Sequence, residues 1–314
     1  MSDPLRIIFM GTPDFAVSSL TSLHNSPHEI VMVVTQPDRP RGRGRKLLPT
    51  AVKAAALDMG YPVIQPVSVK TGEFTEQVKS LKPDLLIVVA FGHILSESLL
   101  ALPRLGAVNV HASLLPKYRG PAPIQRAIME GEKETGVTIM FMDKGLDTGD
   151  MLMHEIIPIT TETTCASLHD QLAETGADLL SKTLHCFETN TIKPIPQDHD
   201  LATYAPALTK QDCRITWEES AETIACQIRG LSPKPGAYAF FNDKRLKMLH
   251  AVSLPKESNL PPGTVMESFP DELWIASGNN QVVSILKIQS PAGKTLAIAD
   301  FLRGHPIEPG ARFS

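Results

Sequence analysis

Asn109 and His111 lie two residues apart in the segment 105–116, LGAVNVHASLLP, whose other members are nearly all apolar or small. On a strand, residues i and i+2 project from the same face, so a carboxamide and an imidazole would stand side by side. A single polar residue in a buried strand is ordinarily a hydrogen-bonded core group. Two on one face, near the carboxyl end where open α/β sheets place their ligands, point to a site. A second segment, 142–150, gathers Gly145 and Gly149 with Asp143, Asp147 and Asp150. Glycines there permit tight turns beside acidic side chains. The EF-hand ligand pattern does not match, and spacing alone leaves a plain Asx-turn loop and a functional loop both open. An Asn, a His and an Asp together suit acyl-type or proton-transfer chemistry.

A third segment has the opposite charge. Arg39, Arg41, Arg43, Arg45 and Lys46 are interleaved with Gly and Pro over 36–46, which argues against a helix and for a mobile loop. Charge runs are usually just solvated. Arginine spaced by glycine, however, suits bidentate phosphate contacts, and the segment follows a strand at the sheet's ligand-binding edge. The overall net charge of -4 gives no global reason to expect nucleic acid, so the expectation rests on this local cluster.

The elements that must position these residues read as strands at 6–10, 30–35, 84–91, 106–111, 136–141 and 151–159, with helical stretches between. Unbroken Val/Ile/Leu runs alternating with helices indicate a doubly wound α/β domain on a mostly parallel, Rossmann-like sheet. Dinucleotide binding is disfavoured, because the first strand ends in Gly11-Thr12-Pro13 without G-x-G-x-x-G. In that turn Thr12 is the expected helix cap and Pro13 the first helical residue. The helix start suits an anion or a purely structural turn equally. Cys165, Leu168, Leu172, Leu179, Thr183 and Phe187 mark one face of a long core helix. The proline-bearing stretch after it has no period and reads as a linker. The expected organisation is a catalytic domain over 1–188, a linker over 189–205 and a small β-barrel over 206–314. Within the barrel, a helix is expected at 220–230 and strands at 237–241, 245–252, 263–266, 273–277 and 282–288, the first two joined by an Asn242-Asp243 turn.

The four cysteines form no CxxC pair and no metal spacing, and none is given a role. The start, Met-Ser-Asp-Pro, does not read as a signal peptide. The longest apolar run, 85–91 and slightly beyond, is too short to span a bilayer. A cytoplasmic protein with reduced thiols is expected.

These segments resemble the methionyl-tRNA formyltransferase family over nearly the full chain. The marks are MGTPDF at 10–15, the basic loop 36–49, NVHASLLP at 109–116 running on through Arg119-Gly120 and Pro123-Ile124, GLDTGD at 145–150, PAGK at 291–294 and DFLRG at 300–304. The resemblance implies that Asn109, His111 and Asp147 form a catalytic trio. It also implies a folate site lined by Ser113, Leu114, Leu115 and Pro116, by Phe91, Gly92, Ile94 and Leu95, and by Asp143 and Gly145. The formyl donor would be 10-formyltetrahydrofolate, the acceptor methionyl initiator tRNA, and the tRNA contacts Arg39, Arg41, Arg43, Arg45 and Lys46. An OB-like C-terminal domain and chemistry without a metal are further implications; a monomer is the default expectation, and no membrane partner is expected. Past Lys294, where many relatives carry another basic residue, Thr295-Leu296 follow. Lys210, Arg214, Lys244, Arg245, Lys247 and Lys287 remain as phosphate contacts or solvated bystanders.

The chemistry implied is direct transfer through a tetrahedral oxyanion. Asn109 and protonated His111 would donate to the oxygen, and one such donor commonly contributes ~3 kcal/mol. Asp147 would hold His111 charged and take the amine's proton. The rivals are a relative acting on a small acceptor, a formyltetrahydrofolate hydrolase and a non-catalytic tRNA- or folate-binding protein. A small acceptor has little use for the basic loop, and binding alone does not require all three polar residues.

Overall fold

Six residues, RIIFMG, form the first strand, β1 (Arg6–Gly11), and nearly all of it is buried. Ile8 and Met10 enter one apolar cluster with Met32, Val34, Phe74, Val78, Leu86, Val88 and Leu99. Ile7 and Phe9 point the other way and are equally buried, so the sheet is covered on both faces. The computed structural model describes residues 4–41 and 46–314, the side chains of Arg41 and Lys46 excepted.

After β1 come α1 (Phe15–His24), β2 (Glu29–Val34), the two-stranded ribbon β3 (Arg39–Arg41) and β4 (Lys46–Leu48), α2 (Ala51–Asp58) and β5 (Val63–Ile64). Then follow α3 (Gly72–Ser80), β6 (Leu85–Val89), α4 (Glu97–Leu100), β7 (Ala107–His111), α5 (Pro123–Met129), β8 (Glu134–Phe141), β9 (Met151–Pro158) and α6 (Cys165–Glu188). The main sheet has the order β5-β2-β1-β6-β7-β8-β9. The β5-β2, β2-β1, β1-β6 and β6-β7 pairs are parallel, and β8 runs antiparallel to β7. The doubly wound reading therefore holds. Helix starts are set locally: Thr50, Thr71 and Ser96 cap α2, α3 and α4 by accepting from backbone N–H groups three residues on.

The cap of α1 is not Thr12. Asp14 takes that place, accepting from Phe15 N. The Thr12 hydroxyl instead donates to the Phe91 carbonyl at 3.0 Å, tying the turn after β1 to the one after β6.

The chain divides into two compact units. The first holds the residues up to Gly120, with Gly136–Ile157 and His169–Tyr204; the second holds Pro121–Thr135, Pro158–Leu168 and Ala205–Ser314. Thus two segments from within 1–188 cluster with the C-terminal residues, and nearly all of the expected linker clusters with the first unit. The second unit contains α7 (Ala221–Gly230), β10 (Ala237–Phe241), β11 (Lys244–Glu257), β12 (Leu273–Ala276), β13 (Gln281–Gln289), β14 (Thr295–Ala297) and α8 (Ile298–Gly304). Its strands form an antiparallel half-barrel in which β13 pairs with β11 on one side and with β12 and β14 in succession on the other. Asn242 and Asp243 both take left-handed φ values (47° and 59°), as the two-residue hairpin turn demands.

One expected strand is absent. Residues 263–266 make single bridges to two different partners, Thr264 to Arg312 and Val265 to Ile275, so no ladder extends. The apolar spacing there serves packing: Val265 is buried in the core of this unit with Trp217, Ile275 and Phe313.

Candidate active site

The carboxyl ends of β2, β1, β6 and β7, adjacent in the sheet, deliver their following turns to one place. The Phe91 carbonyl accepts from both Thr12 Oγ1 and Gln36 Nε2, each at 3.0 Å, binding the turns after β1, β2 and β6 together. Beside them, Asn109 and His111 project from the face of β7 that also carries Ala107, a member of the cluster on that side of the sheet. The opposite face, with Val110, packs against α6 so closely that a Cβ on Gly176 would lie 2.9 Å from Val110 Cγ1.

Asp147 meets both residues. Asn109 Nδ2 lies 3.5 Å from Asp147 Oδ1, a long donor contact, and His111 Nδ1 lies 3.7 Å from Oδ2. The histidine side chain is only 6% exposed and the aspartate 12%. His111 Nε2 is 3.0 Å from the Tyr118 carbonyl. A carbonyl oxygen only accepts, so this contact places a proton on Nε2 and leaves Nδ1 as the ring atom facing Asp147. Asp147 Oδ2 also accepts from the Gly120 backbone N–H at 2.8 Å.

The loop carrying Asp147 is internally determined. Asp147 itself has φ 54°, in the left-handed region that Asp tolerates better than most residues. Asp143 Oδ1 accepts from Gly145 N (2.9 Å) and Thr148 Oγ1 (2.6 Å). The Asx turn left open by spacing is therefore real, and it belongs to Asp143, while Asp147 faces the β7 pair. Gly149 is required by contact: a Cβ would fall 1.9 Å from the Phe141 carbonyl oxygen.

The remaining residues assigned to the folate site are spread over three turns. Ser113 is fully buried, its hydroxyl donating to the Lys117 carbonyl at 2.7 Å, and Leu115 N donates to Thr138 Oγ1. Both are committed to shaping the turn after β7, with Leu114 and Pro116 half-buried beside them. Phe91 and Leu95 are buried, whereas Ile94 is 70% exposed and Gly92 is open backbone. Gly145 and the Asp143 side chain lie exposed at the far end of the acidic loop.

Of the basic residues, Arg39 sits on β3 and donates to Gln36 Oε1 at 2.8 Å. Arg41 pairs with Lys46 across the ribbon. Arg43 and Arg45 lie outside the described residues. The expected loop is thus a short ribbon at both of its flanks. Among the described residues no group of three or more His, Cys, Asp or Glu is placed to hold a metal, and no helix is long and apolar enough to cross a membrane. The cysteines are free, and burial pushes the Cys165 thiol up to about 11.

Sequence reasoning missed the Gly120 amide and Gln197, which hold Asp147, and the Tyr118 carbonyl, which holds His111. Gln197 Nε2 donates to the carbonyls of Asp147 (2.9 Å) and Gly149 (2.7 Å). It lies in Lys193-Pro194-Ile195-Pro196-Gln197, where nothing periodic distinguishes it. Arg119-Gly120 stood out only as part of a resemblance.

The fold places the chain in a class that comparison with known proteins defines: residues 5–184 match the family described as formyl transferase, and residues 207–306 its C-terminal domain. The methionyl-tRNA formyltransferase of Moorella thermoacetica is 47% identical over 306 residues, covering 98% of both chains. That of Caldanaerobacter subterraneus subsp. tengcongensis is 48% identical over 307 residues, 98% of this chain and 99% of that one. Among solved structures, the N-formyltransferase from Helicobacter canadensis, in complex with folinic acid and dTDP-3-aminofucose, superposes with a TM-score of 0.67. It is 21% identical and covers 91% of this chain and 100% of its own. The chain belongs to the methionyl-tRNA formyltransferase family.

Proposed function

We propose that the protein moves the formyl group of 10-formyltetrahydrofolate onto the amino group of methionyl initiator tRNA, supplying formylmethionyl-tRNA for translation initiation in the cytoplasm. One observation carries this reading. Asn109, His111 and Asp147 converge at the carboxyl end of β7 in a chain nearly half identical, end to end, to methionyl-tRNA formyltransferases.

The uncharged amine attacks the formyl carbon, a C–N bond forms, and the carbonyl electrons move onto oxygen. Asn109 Nδ2–H and the Nδ1–H of a protonated His111 donate to that oxyanion, each contributing about 3 kcal/mol of barrier lowering. The Tyr118 carbonyl keeps Nε2 occupied and so leaves Nδ1 as the donor. Asp147 stabilises the imidazolium and accepts the ammonium proton, directly or through a water. Collapse of the intermediate breaks the bond to the folate nitrogen, which leaves with a proton. The residues require neither a metal nor a covalent enzyme intermediate.

The donor would lie against Gly92, Ile94 and the turn after β7; Gly92 and Ile94 are exposed in the turn after β6, the strand next to β7. A folate analogue bound to the Helicobacter canadensis protein of like fold supports this choice of donor. The basic segment with Arg39, Arg41, Arg43, Arg45 and Lys46 would take tRNA phosphates, and the C-terminal unit would add further contacts. A monomer suffices for this chemistry.

The test is single-turnover transfer of labelled formyl from 10-formyltetrahydrofolate, with charged methionyl initiator tRNA and free methionine in parallel. Label is expected on the tRNA alone. Label released as formate with neither acceptor modified would replace this reading with a hydrolase.

A further inference from the structure

We propose that Gln197 is a positioning residue for the transfer, fixing Asp147 through its backbone and its carboxylate at once. The inference rests on the reading of Asp147 as proton acceptor and deepens it. Gln197 is 6% exposed, and its amide is saturated. Both Nε2 protons go to the carbonyls of Asp147 and Gly149, and Oε1 accepts from Arg119 Nε (3.1 Å) and Nη2 (2.7 Å). A primary amide has two donors and two lone pairs, so no valence is left over.

The connectivity gives these bonds a purpose. The two carbonyls held by Gln197 include that of Asp147, the residue in the left-handed conformation, and that of Gly149 two positions on. Arg119, held at the other end of the amide, immediately precedes Gly120, whose N–H bonds Asp147 Oδ2. A closed ring results: Asp147 backbone, Gln197 amide, Arg119 guanidinium, Gly120 N–H, Asp147 carboxylate. Its links are part-buried hydrogen bonds or covalent connections within Arg119-Gly120 and Asp147, so the place of the carboxylate follows from the place of the amide. Only a primary amide offers two donors and an acceptor in one plane, and that of Asn reaches one methylene less far. Loss of the donors would leave two carbonyls unsatisfied and free the loop to shift; displacements of about 1 Å from reacting geometry cost up to ~100-fold in rate.

Gln197→Glu separates positioning from mere packing. It keeps the volume and the acceptor for Arg119, but an ionised carboxylate faces the two carbonyls without a proton. Once protonated, it regains one donor. In steady-state transfer at about pH 8, kcat is expected to fall ~tenfold or more, with KM for donor and for tRNA within ~twofold of wild type. The deficit relative to wild type should narrow as pH falls toward about 5.5. A wild-type kcat, a loss carried by KM, or a deficit unchanged with pH would each overturn the inference. If that variant does not fold, Gln197→Met supplies a readout independent of activity. Exchange of the Gly120 amide, bonded to the Asp147 carboxylate, should quicken at least ~tenfold while the amides of β1 and β6 keep their protection. Unchanged exchange at Gly120 would overturn it equally. Asp147→Asn, measured beside them, keeps the two readings apart. An inactive Asp147→Asn with a fully active Gln197→Glu removes only this inference, whereas a fully active Asp147→Asn removes the reading on which it rests.

Discussion

Two glycine-bearing loops of the first unit, 142–150 and 36–49, carry opposite charge and are held in different ways. The acidic loop is pinned from within and without. Asp143 takes the Gly145 amide and the Thr148 hydroxyl, Gln197 takes two carbonyls, and Gly120 N–H takes the Asp147 carboxylate. All of these donors are uncharged. The basic segment is fixed at its base, where Gln36 reaches Phe91, Gln65 reaches the Gln36 carbonyl and Asp38, and Lys53 pairs with Asp38 at 2.6 Å. Beyond that base the described residues form a ribbon with Arg39 opposite Leu48, and Leu47 stands exposed. On the proposed function, the contrast follows from what each loop would meet. A reacting amine tolerates little error in the carboxylate's position, while a phosphate backbone is recognised by charge over several ångströms.

The largest effect should come from crowding the acidic loop. In Gly149→Ala the new methyl would fall 1.9 Å from the Phe141 carbonyl oxygen, so the loop must move. We expect kcat to drop about 100-fold, with stability reduced by ~1–3 kcal/mol and the KM for tRNA nearly unchanged. Kinetics beside thermal melts would check it, and wild-type kcat would show that the loop's placement does not matter. A smaller effect of the opposite kind is expected from Arg41→Ala with Arg43→Ala. There KM for tRNA should rise ~tenfold at moderate salt with kcat within ~twofold, and the slope of log affinity against log salt should fall by about two. An unchanged salt slope would remove the basic segment from the tRNA contact.

The contrast also explains what could be read in advance. The same-face placement of Asn109 and His111 follows from the period of two along a strand, and the parallel sheet from its apolar runs. Asp147 was visible only as one of three carboxylates until resemblance singled it out. The groups that position it left no local trace. Gly120 contributes a backbone N–H; its φ of 113° favours glycine but does not tell what that N–H meets. Gln197 reaches the carbonyls across 48 to 50 residues from a proline-rich stretch. Elements too short to repeat their period were illegible for a related reason: β5 has two residues and β14 three. At Thr12 local chemistry pointed to a cap, but a long-range acceptor, the Phe91 carbonyl, claimed the hydroxyl. At 263–266 an apolar spacing suited to a strand met two partners rather than one.

The smallest effect sharpens the comparison at the base of the basic segment. Hydrogen bonds from Lys53 and Gln65 hold the Asp38 carboxyl below its ordinary value of 3.8. A carboxyl depressed on folding contributes fully above its unfolded value and loses that contribution as pH falls through the folded one. Asp38 is therefore ionised throughout the range of a transfer assay, and the anchor should add no pH dependence between about pH 6 and 8. Asp38→Asn removes the charge opposite Lys53 and one of the two acceptor oxygens that Lys53 and Gln65 share between them. KM for tRNA is expected to rise only ~2–5-fold, because the half-buried pair is replaced by an amide that still accepts and the Gln36 bonds to Phe91 and Gln65 remain. The ratio of variant to wild type should stay flat across that pH range, in contrast to Gln197→Glu, whose deficit should change with pH. A fall in kcat instead would mean that the base of the basic segment also holds the turn at Phe91 in place, and that the two loops are mechanically joined through Gln36 rather than separately held.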